Sequence, residues 1–236
     1  MSDAAPSTRE QILALAQEYL LESGPAGFEV KELARRGWFH QSQINYYFGS
    51  KQGLLAEAAN AMFAAHIDSV IGAVEAHRDP RAALDAWCQS VIAFNTANGA
   101  TAALVAYPDL FVPFDSVPEN LRIGENVLDA SERVGTVLLS VMYALAKGRD
   151  YRRLNRAKVT MVAIAMPRVT NSVVMIGMGA AGLAQVWEQH RQKPIFGFDP
   201  RKAFLRGVHQ IANDLAKSPR GDADPDVSED DLFSTN

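Results

Sequence analysis

The chain of 236 residues is 48% hydrophobic with a formal net charge of −4, long enough and apolar enough to bury a substantial core in one or two domains. A single cysteine, Cys88, excludes an intrachain disulfide, fits a reducing cytoplasm, and reads as a buried thiol on an amphipathic helix rather than a reactive one. The acidic excess is local: from residue 218 onward Arg220 stands alone against Asp222, Asp224, Asp226, Glu229, Asp230 and Asp231, so the charge balance does not exclude a nucleic-acid partner.

In chain order, the first six residues read as a loose arm without the charged-then-apolar pattern of a secretory signal. Ser7 and Thr8 both offer capping-box spacing to Glu10 or Gln11. Ile12, Leu15, Ala16, Tyr19 and Leu20 then make one helical stripe, which Gly24-Pro25 should stop. From Val30 two short helices are predicted, the first with Val30, Leu33 and Ala34 inward and the second with Ile44, Tyr47 and Phe48 inward. Gly37, Trp38 and Phe39 form a turn too short to let them diverge, and Ala34 is small where the helices must cross closely. The other face of the second helix presents His40, Gln41, Ser42, Gln43 and Asn45, short donors and acceptors suited to the depth of a groove. This is the geometry of a DNA-binding helix-turn-helix.

A helix from Lys51 to about residue 77, with Leu54, Leu55, Ala58, Met62, Ala65 and Ile67, is long enough to leave this domain and enter a second one. Asp79-Pro80 should start the next, through Leu84, Trp87, Cys88, Val91 and Phe94, ending near Asn98-Gly99. Residues 107–118 hold three prolines and cannot be regular helix. A helix is expected from about 119 to 147, another from Asp150 to about 192 broken at Pro167, and a last one from Pro200 through Leu215. The most apolar run, 172–184, is shorter than the ~20 residues that span a bilayer, so no membrane contact is expected. The tail from 218 has no helical apolar period and reads as disordered.

The segment ELARR followed by INYYFGSKQGLL resembles the signature of TetR-type (tetracycline-repressor-like) transcriptional regulators, with the aromatic pair, Phe48, Ser50-Lys51 and Leu54-Leu55 in register. The motif covers about a fifth of the chain; the remainder is similar in length and helical character. The resemblance implies a symmetric homodimer on a palindromic double-stranded operator, released or rearranged by a small molecule. One residue departs from the pattern: the family usually carries glycine where Trp38 stands, one position after Gly37. Either Gly37 takes a left-handed turn conformation or the turn is opened, since a bulky residue there would be strained.

The expected fold is therefore all-α with about nine helices: an N-terminal three-helix domain over 1–50, a helical effector-binding and dimerisation domain over 51–217, and the acidic tail over 218–236. Gln41, Gln43 and Asn45 are candidates for bidentate pairing with adenine, with His40 and Ser42 beside them. Lys51 at a helix N-terminus, Tyr46 through its hydroxyl, and Lys31 are candidates for the phosphate backbone, while Arg35 and Arg36 lie nearby in sequence. With few cations on phosphates, affinity should depend only modestly on salt. Trp87, Phe94, Tyr107, Phe111, Phe114, Met142 and Tyr143 are candidates for a largely apolar effector pocket, the proline-rich loop serving as rim. In the dimer, helices around 168–191 and 200–216 should form a four-helix bundle that sets two reading helices about one DNA turn apart (~34–36 Å or a multiple).

Two alternatives arise from the same residues. Gly177, Gly179 and Gly182 fit GxGxxG after Val173-Val174-Met175-Ile176, with Asp199 about twenty residues on, the pattern of a flavin- or nicotinamide-binding segment in an oxidoreductase. Too few residues follow to complete a doubly wound sheet, and the small residues otherwise serve close helix packing at a dimer seam. The second alternative is a constitutive DNA binder without effector. The five histidines (40, 66, 77, 190 and 209) show no metal-ligand spacing and no nucleophile–base motif occurs, so neither an enzyme nor a cofactor is expected.

Overall fold

The computed structural model describes residues 6–106 and 125–217. Among these the fold is all-α: nine helices and no strand, as expected. They are α1 (Thr8–Gly27), α2 (Val30–Gly37), α3 (Gln41–Phe48), α4 (Lys51–Glu75), α5 (Pro80–Ala106), α6 (Glu125–Lys147), α7 (Arg156–Ala165), α8 (Pro167–Gln192) and α9 (Pro200–Lys217). The chain divides into two compact units, one of Met1–Ile67, Ala93–Ala130 and Ala184–Pro194, the other of Asp68–Ile92, Ser131–Leu183 and Ile195–Asn236.

The first unit is built on α1, α2 and α3, which contact one another pairwise. Ser7 and Glu10 close a reciprocal capping box, the Ser7 N–H donating to Glu10 Oε2 at 2.7 Å and the Glu10 N–H to Ser7 Oγ at 3.3 Å. Gly24, at φ 65° and ψ 171°, breaks the helix where Gly-Pro predicted a stop. Ile12, Ala16, Tyr19 and Leu20 of α1, Phe28, Leu33 and Ala34 of α2 and its entry, and Ile44 and Phe48 of α3 form one buried cluster with Leu54, Leu55, Ala58 and Ala59 of α4. Arg9 ties α1 to this cluster twice, pairing with Glu57 at 2.5 Å and lying over the Phe48 ring at 5.2 Å.

The second unit has its own core, including Val70, Val74, Leu84, Trp87, Cys88, Val137, Val141, Met142, Val169, Ile176 and Val208, all buried. Burial pushes the Cys88 thiol up to about 12, so it is inert at neutral pH. Ion pairs and polar contacts bind distant segments here: Arg133–Asp68 at 2.5 Å, Arg153–Glu75 at 3.0 Å and Arg81 to Asn213 at 2.8 Å.

Two element boundaries differ from the sequence reading. Helix α5 runs through Asn98-Gly99 to Ala106, because one internal glycine costs only about 1 kcal/mol relative to alanine and good helix formers follow it. Helix α7 begins at Arg156 rather than Asp150: Asn155 caps it, accepting the Lys158 N–H at 3.0 Å, while Tyr151 and Leu154 are buried in the non-helical approach. The break expected at Pro167 is a full split, Met166 leaving helical geometry at φ −126° and ψ 69°, with the proline becoming the first residue of α8. The loop 107–118 and the acidic tail lie outside the described residues.

By length and composition α4 and α8 are each apolar enough to cross a membrane, a longer apolar span than the 172–184 run alone suggests. Helix α4 carries Leu54, Leu55, Ala58 and Ala59 into the first unit's core, which identifies it as a core helix.

Candidate nucleic-acid interface

Helix α3 is only eight residues long, and its orientation depends on its two ends. At its start the His40 N–H donates to the Gln43 Oε1 at 2.8 Å, so half of a capping box is closed by the side chain of Gln43. At its end Gly49 adopts φ 72°, and its N–H returns to the Asn45 carbonyl at 2.9 Å. Only glycine takes that conformation without strain. Ser50 then caps α4, its hydroxyl accepting the Gly53 N–H at 3.0 Å, which leaves Lys51 on the first turn.

These ends set the face. Ile44 and Phe48 are buried and Tyr47 half-buried, while Gln41, Ser42, Asn45 and Tyr46 are exposed along one side of α3. Asn45 therefore sits on the outward face rather than at the margin of the buried stripe. Gln43 occupies the margin instead, half-buried, with its carbonyl oxygen engaged in the cap. His40 is exposed at the N-cap, and the Tyr46 ring is 83% exposed with its edge against Tyr47 at 5.1 Å.

The basic residues sort themselves by pairing. Arg35 grips Glu32 with two bonds of 2.8 Å, and Arg36 reaches Glu32 at 3.1 Å and Glu22 at 2.5 Å while lying 4.3 Å over the Tyr19 ring. Hydrogen bonds from Arg35 and Arg36 hold the Glu32 carboxyl down at about 2, so this network is charged throughout the neutral range. Arg36 braces α2 against α1, while Arg35 is held within α2. Lys31 is exposed and Lys51 half-exposed.

The turn between α2 and α3 corrects the sequence reading. Neither stated alternative holds: Gly37 stays helical and the turn stays closed, with Trp38 itself in the left-handed region at φ 56° and ψ 33°. The Trp38 and Phe39 N–H groups both return to the Ala34 carbonyl. Gly37 is needed for a different reason: a Cβ there would overlap the Phe39 ring and come within 2.8 Å of Leu15 Cδ2. Phe39 fills the space beneath Gly37, and the Trp38 indole projects outward, 95% exposed. A sequence pattern that expects glycine at position 38 gives no signal for this arrangement.

The effector candidates are less concentrated. Trp87, Met142 and Tyr143 are buried in the second unit, whereas Phe94 belongs to the first, stacked on the His66 ring at 4.0 Å. Trp87 lies 6.4 Å from the Phe204 ring, and its buried Nε1 finds no acceptor among the described residues. Tyr143 accepts a hydrogen bond from Arg149, whose guanidinium also lies over its ring. Tyr107, Phe111 and Phe114 lie outside the described residues.

The GxGxxG segment does not form a dinucleotide site. Residues 173–182 are all within α8, with no strand before the glycines and no loop to cradle a pyrophosphate. Asp199, the would-be ribose ligand, instead caps α9, accepting the Arg201 N–H at 2.9 Å and pairing with its guanidinium. Of the three glycines only Gly179 meets a helix neighbour, the Phe204 ring at 3.4 Å from a Cβ placed there; Gly177 and Gly182 face open space.

No protein-family model and no curated protein matches the sequence. Solved structures do match. The fatty acid degradation regulator FadR from Bacillus halodurans superposes with a TM-score of 0.56 at 16% identity, covering 89% of this chain and 96% of that one. A bacterial regulatory protein in the TetR family from Rhodococcus RHA1 gives 0.55 at 15% identity, covering 91% and 100%. The transcriptional regulator FadR from Bacillus subtilis, in complex with stearoyl-CoA, gives 0.54 at 14% identity, covering 88% and 97%.

Proposed function

We propose that this chain, which has the all-α fold of TetR-type transcriptional regulators, is a cytoplasmic, sequence-specific DNA-binding repressor that acts as a homodimer and is relieved by a small molecule. The observation that carries the reading is the outward face of α3, where Gln41, Ser42 and Asn45 stand exposed on a helix whose two ends are capped and whose other face is buried. Amide side chains in that setting pair with the N6/N7 edge of adenine in the major groove, each good pair contributing ~1–3 kcal/mol of discrimination. Gln43 contributes its free amide N–H groups, and His40, Lys31, Lys51 and Tyr46 hold the backbone. The DNA-binding domain is assigned to residues 1–50, the effector and dimer domain to 51–217, and the acidic tail to 218–236.

Several features support the second domain's role. The buried, unsatisfied Trp87 N–H costs about 1–3 kcal/mol unless an acceptor reaches it, which suits a ligand bearing a carbonyl or carboxylate oxygen on an apolar body. A fatty acyl thioester, the class bound by one structural relative, has that composition. Met142 and Tyr143, buried in the same unit as Trp87, would supply apolar wall. Helix α4, with residues 51–67 in one unit and 68–75 in the other, is the candidate lever. A ligand shifts repression only through its differential affinity for two arrangements of that lever.

The test is selection of bound sequences from a random duplex pool with the wild-type protein and with Asn45→Ala. The wild type should enrich a palindrome, and Asn45→Ala should lose preference at one position in each half-site. Failure of the wild type to enrich any sequence would overturn the reading. A constitutive binder is separated from it by adding long-chain acyl thioesters or fatty acids: a regulator gains thermal stability and releases its selected duplex, whereas a constitutive binder does neither.

A further inference from the structure

Trp38 is the single non-glycine residue with positive φ among the described residues, and a bulky side chain is an outlier in that conformation. Its ring gains nothing within the fold to offset the strain, being 95% exposed. Backbone strain held in place without internal compensation is characteristic of functional surfaces. The indole is also not free to turn inward. The Trp38 and Phe39 N–H groups are both tied to the Ala34 carbonyl, and Phe39 already occupies the space over Gly37 and Leu15. The side chain is therefore projected from the corner two residues before His40, the N-cap of the reading helix.

What this corner would meet follows from the charges around it. Arg35 and Arg36, the guanidiniums closest in sequence, are engaged by Glu32 and Glu22. A surface whose arginines are internally paired must hold a phosphate backbone with other donors. Tyr46, 83% exposed, offers a hydroxyl; Trp38 offers an indole N–H, a donor with no acceptor capacity, on a flat apolar ring. A phosphate oxygen accepts such a bond, and the adjoining deoxyribose presents an apolar face to the ring.

Resting on the DNA-binding reading above, we propose that Trp38 is a sugar–phosphate anchor: its Nε1–H donates to a phosphate oxygen flanking each half-site while its ring packs on the neighbouring deoxyribose. The strained turn serves to aim it. Because the contact is made by an uncharged group to the backbone, it adds affinity equally on every sequence and releases no counterion. This separates it from Lys51, whose removal would flatten the salt dependence, and from Asn45, whose removal would change base preference.

The experiment compares wild type, Trp38→Gly and Trp38→Phe on the best duplex from the random pool and on an unrelated duplex, at several salt concentrations. Trp38→Gly should fold with a raised Tm, since glycine accepts the left-handed turn, yet bind both duplexes about tenfold more weakly with an unchanged salt slope. Trp38→Phe, keeping a ring but no donor, should fall between. In wild type, acrylamide should quench an accessible tryptophan emission that is absent from Trp38→Gly and becomes protected when duplex is added. Wild-type affinity for Trp38→Gly, a loss confined to one base position, or a Trp38 emission equally accessible in the complex would each overturn the anchor. Capture of neither duplex by the wild type would overturn the anchor together with the DNA-binding reading, whereas the other three outcomes leave that reading standing.

Discussion

At the scale of single residues, positions 37 and 38 of the turn carry two different demands. Position 38 needs the left-handed conformation and holds tryptophan; position 37 needs the absence of a side chain and holds glycine. Substitutions at the two sites should therefore act in opposite directions. Gly37→Ala puts a methyl into the Phe39 ring and against Leu15, so either Phe39 leaves its packing or α2 shifts from α1. Overpacking of this kind costs about 1–3 kcal/mol, and thermal unfolding should show a Tm several degrees below wild type. An unchanged Tm would mean that Phe39 swings aside freely and does not anchor the turn. The outward set of α3 was legible in the sequence because helical period alone separates Ile44 and Phe48 from Gln41, Ser42 and Asn45. The engagement of Gln43 in the cap and of Arg35 and Arg36 in ion pairs was not, since each depends on which partner wins a side chain with several choices.

At the scale of elements, α4 and α5 meet in the first unit through an unusual pair, the His66 ring stacked 4.0 Å from Phe94 at 18° between planes. Burial lowers the His66 imidazole from its ordinary value to about 4. Between about pH 6.5 and 4 the unfolded chain then binds a proton that the folded chain refuses, so stability falls as pH drops through that window and is unaffected above it. The loss by pH 4 amounts to up to about 2–3 kcal/mol after discounting for partial exposure. His66→Phe, which keeps an aromatic partner for Phe94, should flatten Tm between pH 6.5 and 4.5; the same acid slope in both proteins would show that His66 is not its source. The nine helices among the described residues were readable because their apolar stripes, proline starts and glycine stops agree with one another. The errors fell where a local signal was ambiguous: Gly99 looked like a terminus but is an internal residue of α5, and Asp150 looked like a cap although Asn155 is the residue that bonds the helix.

For the whole molecule, the decisive surface is on α8. This helix is apolar enough to span a bilayer yet only 18% buried over that stretch, with Val174, Met175 and Met178 between 52% and 67% exposed and Gly177 and Gly182 facing open space. In the homodimer proposed above, this stripe of flexible apolar side chains broken by glycines would let α8 of a second copy approach closely. Met178→Glu would set two carboxylates against each other across such a seam. Since Met178 points away from its own chain, the variant should keep its helical content and monomeric fold while sedimenting as a monomer at micromolar concentration. Its affinity for a palindromic duplex should fall about 10²–10⁴-fold, because two linked reading helices gain an effective-concentration advantage that separate ones lack. Its affinity for a single half-site should not change. A Met178→Glu protein that still sediments as a dimer would place the seam elsewhere, and a membrane-bound wild type would assign α8's bare face to lipid instead.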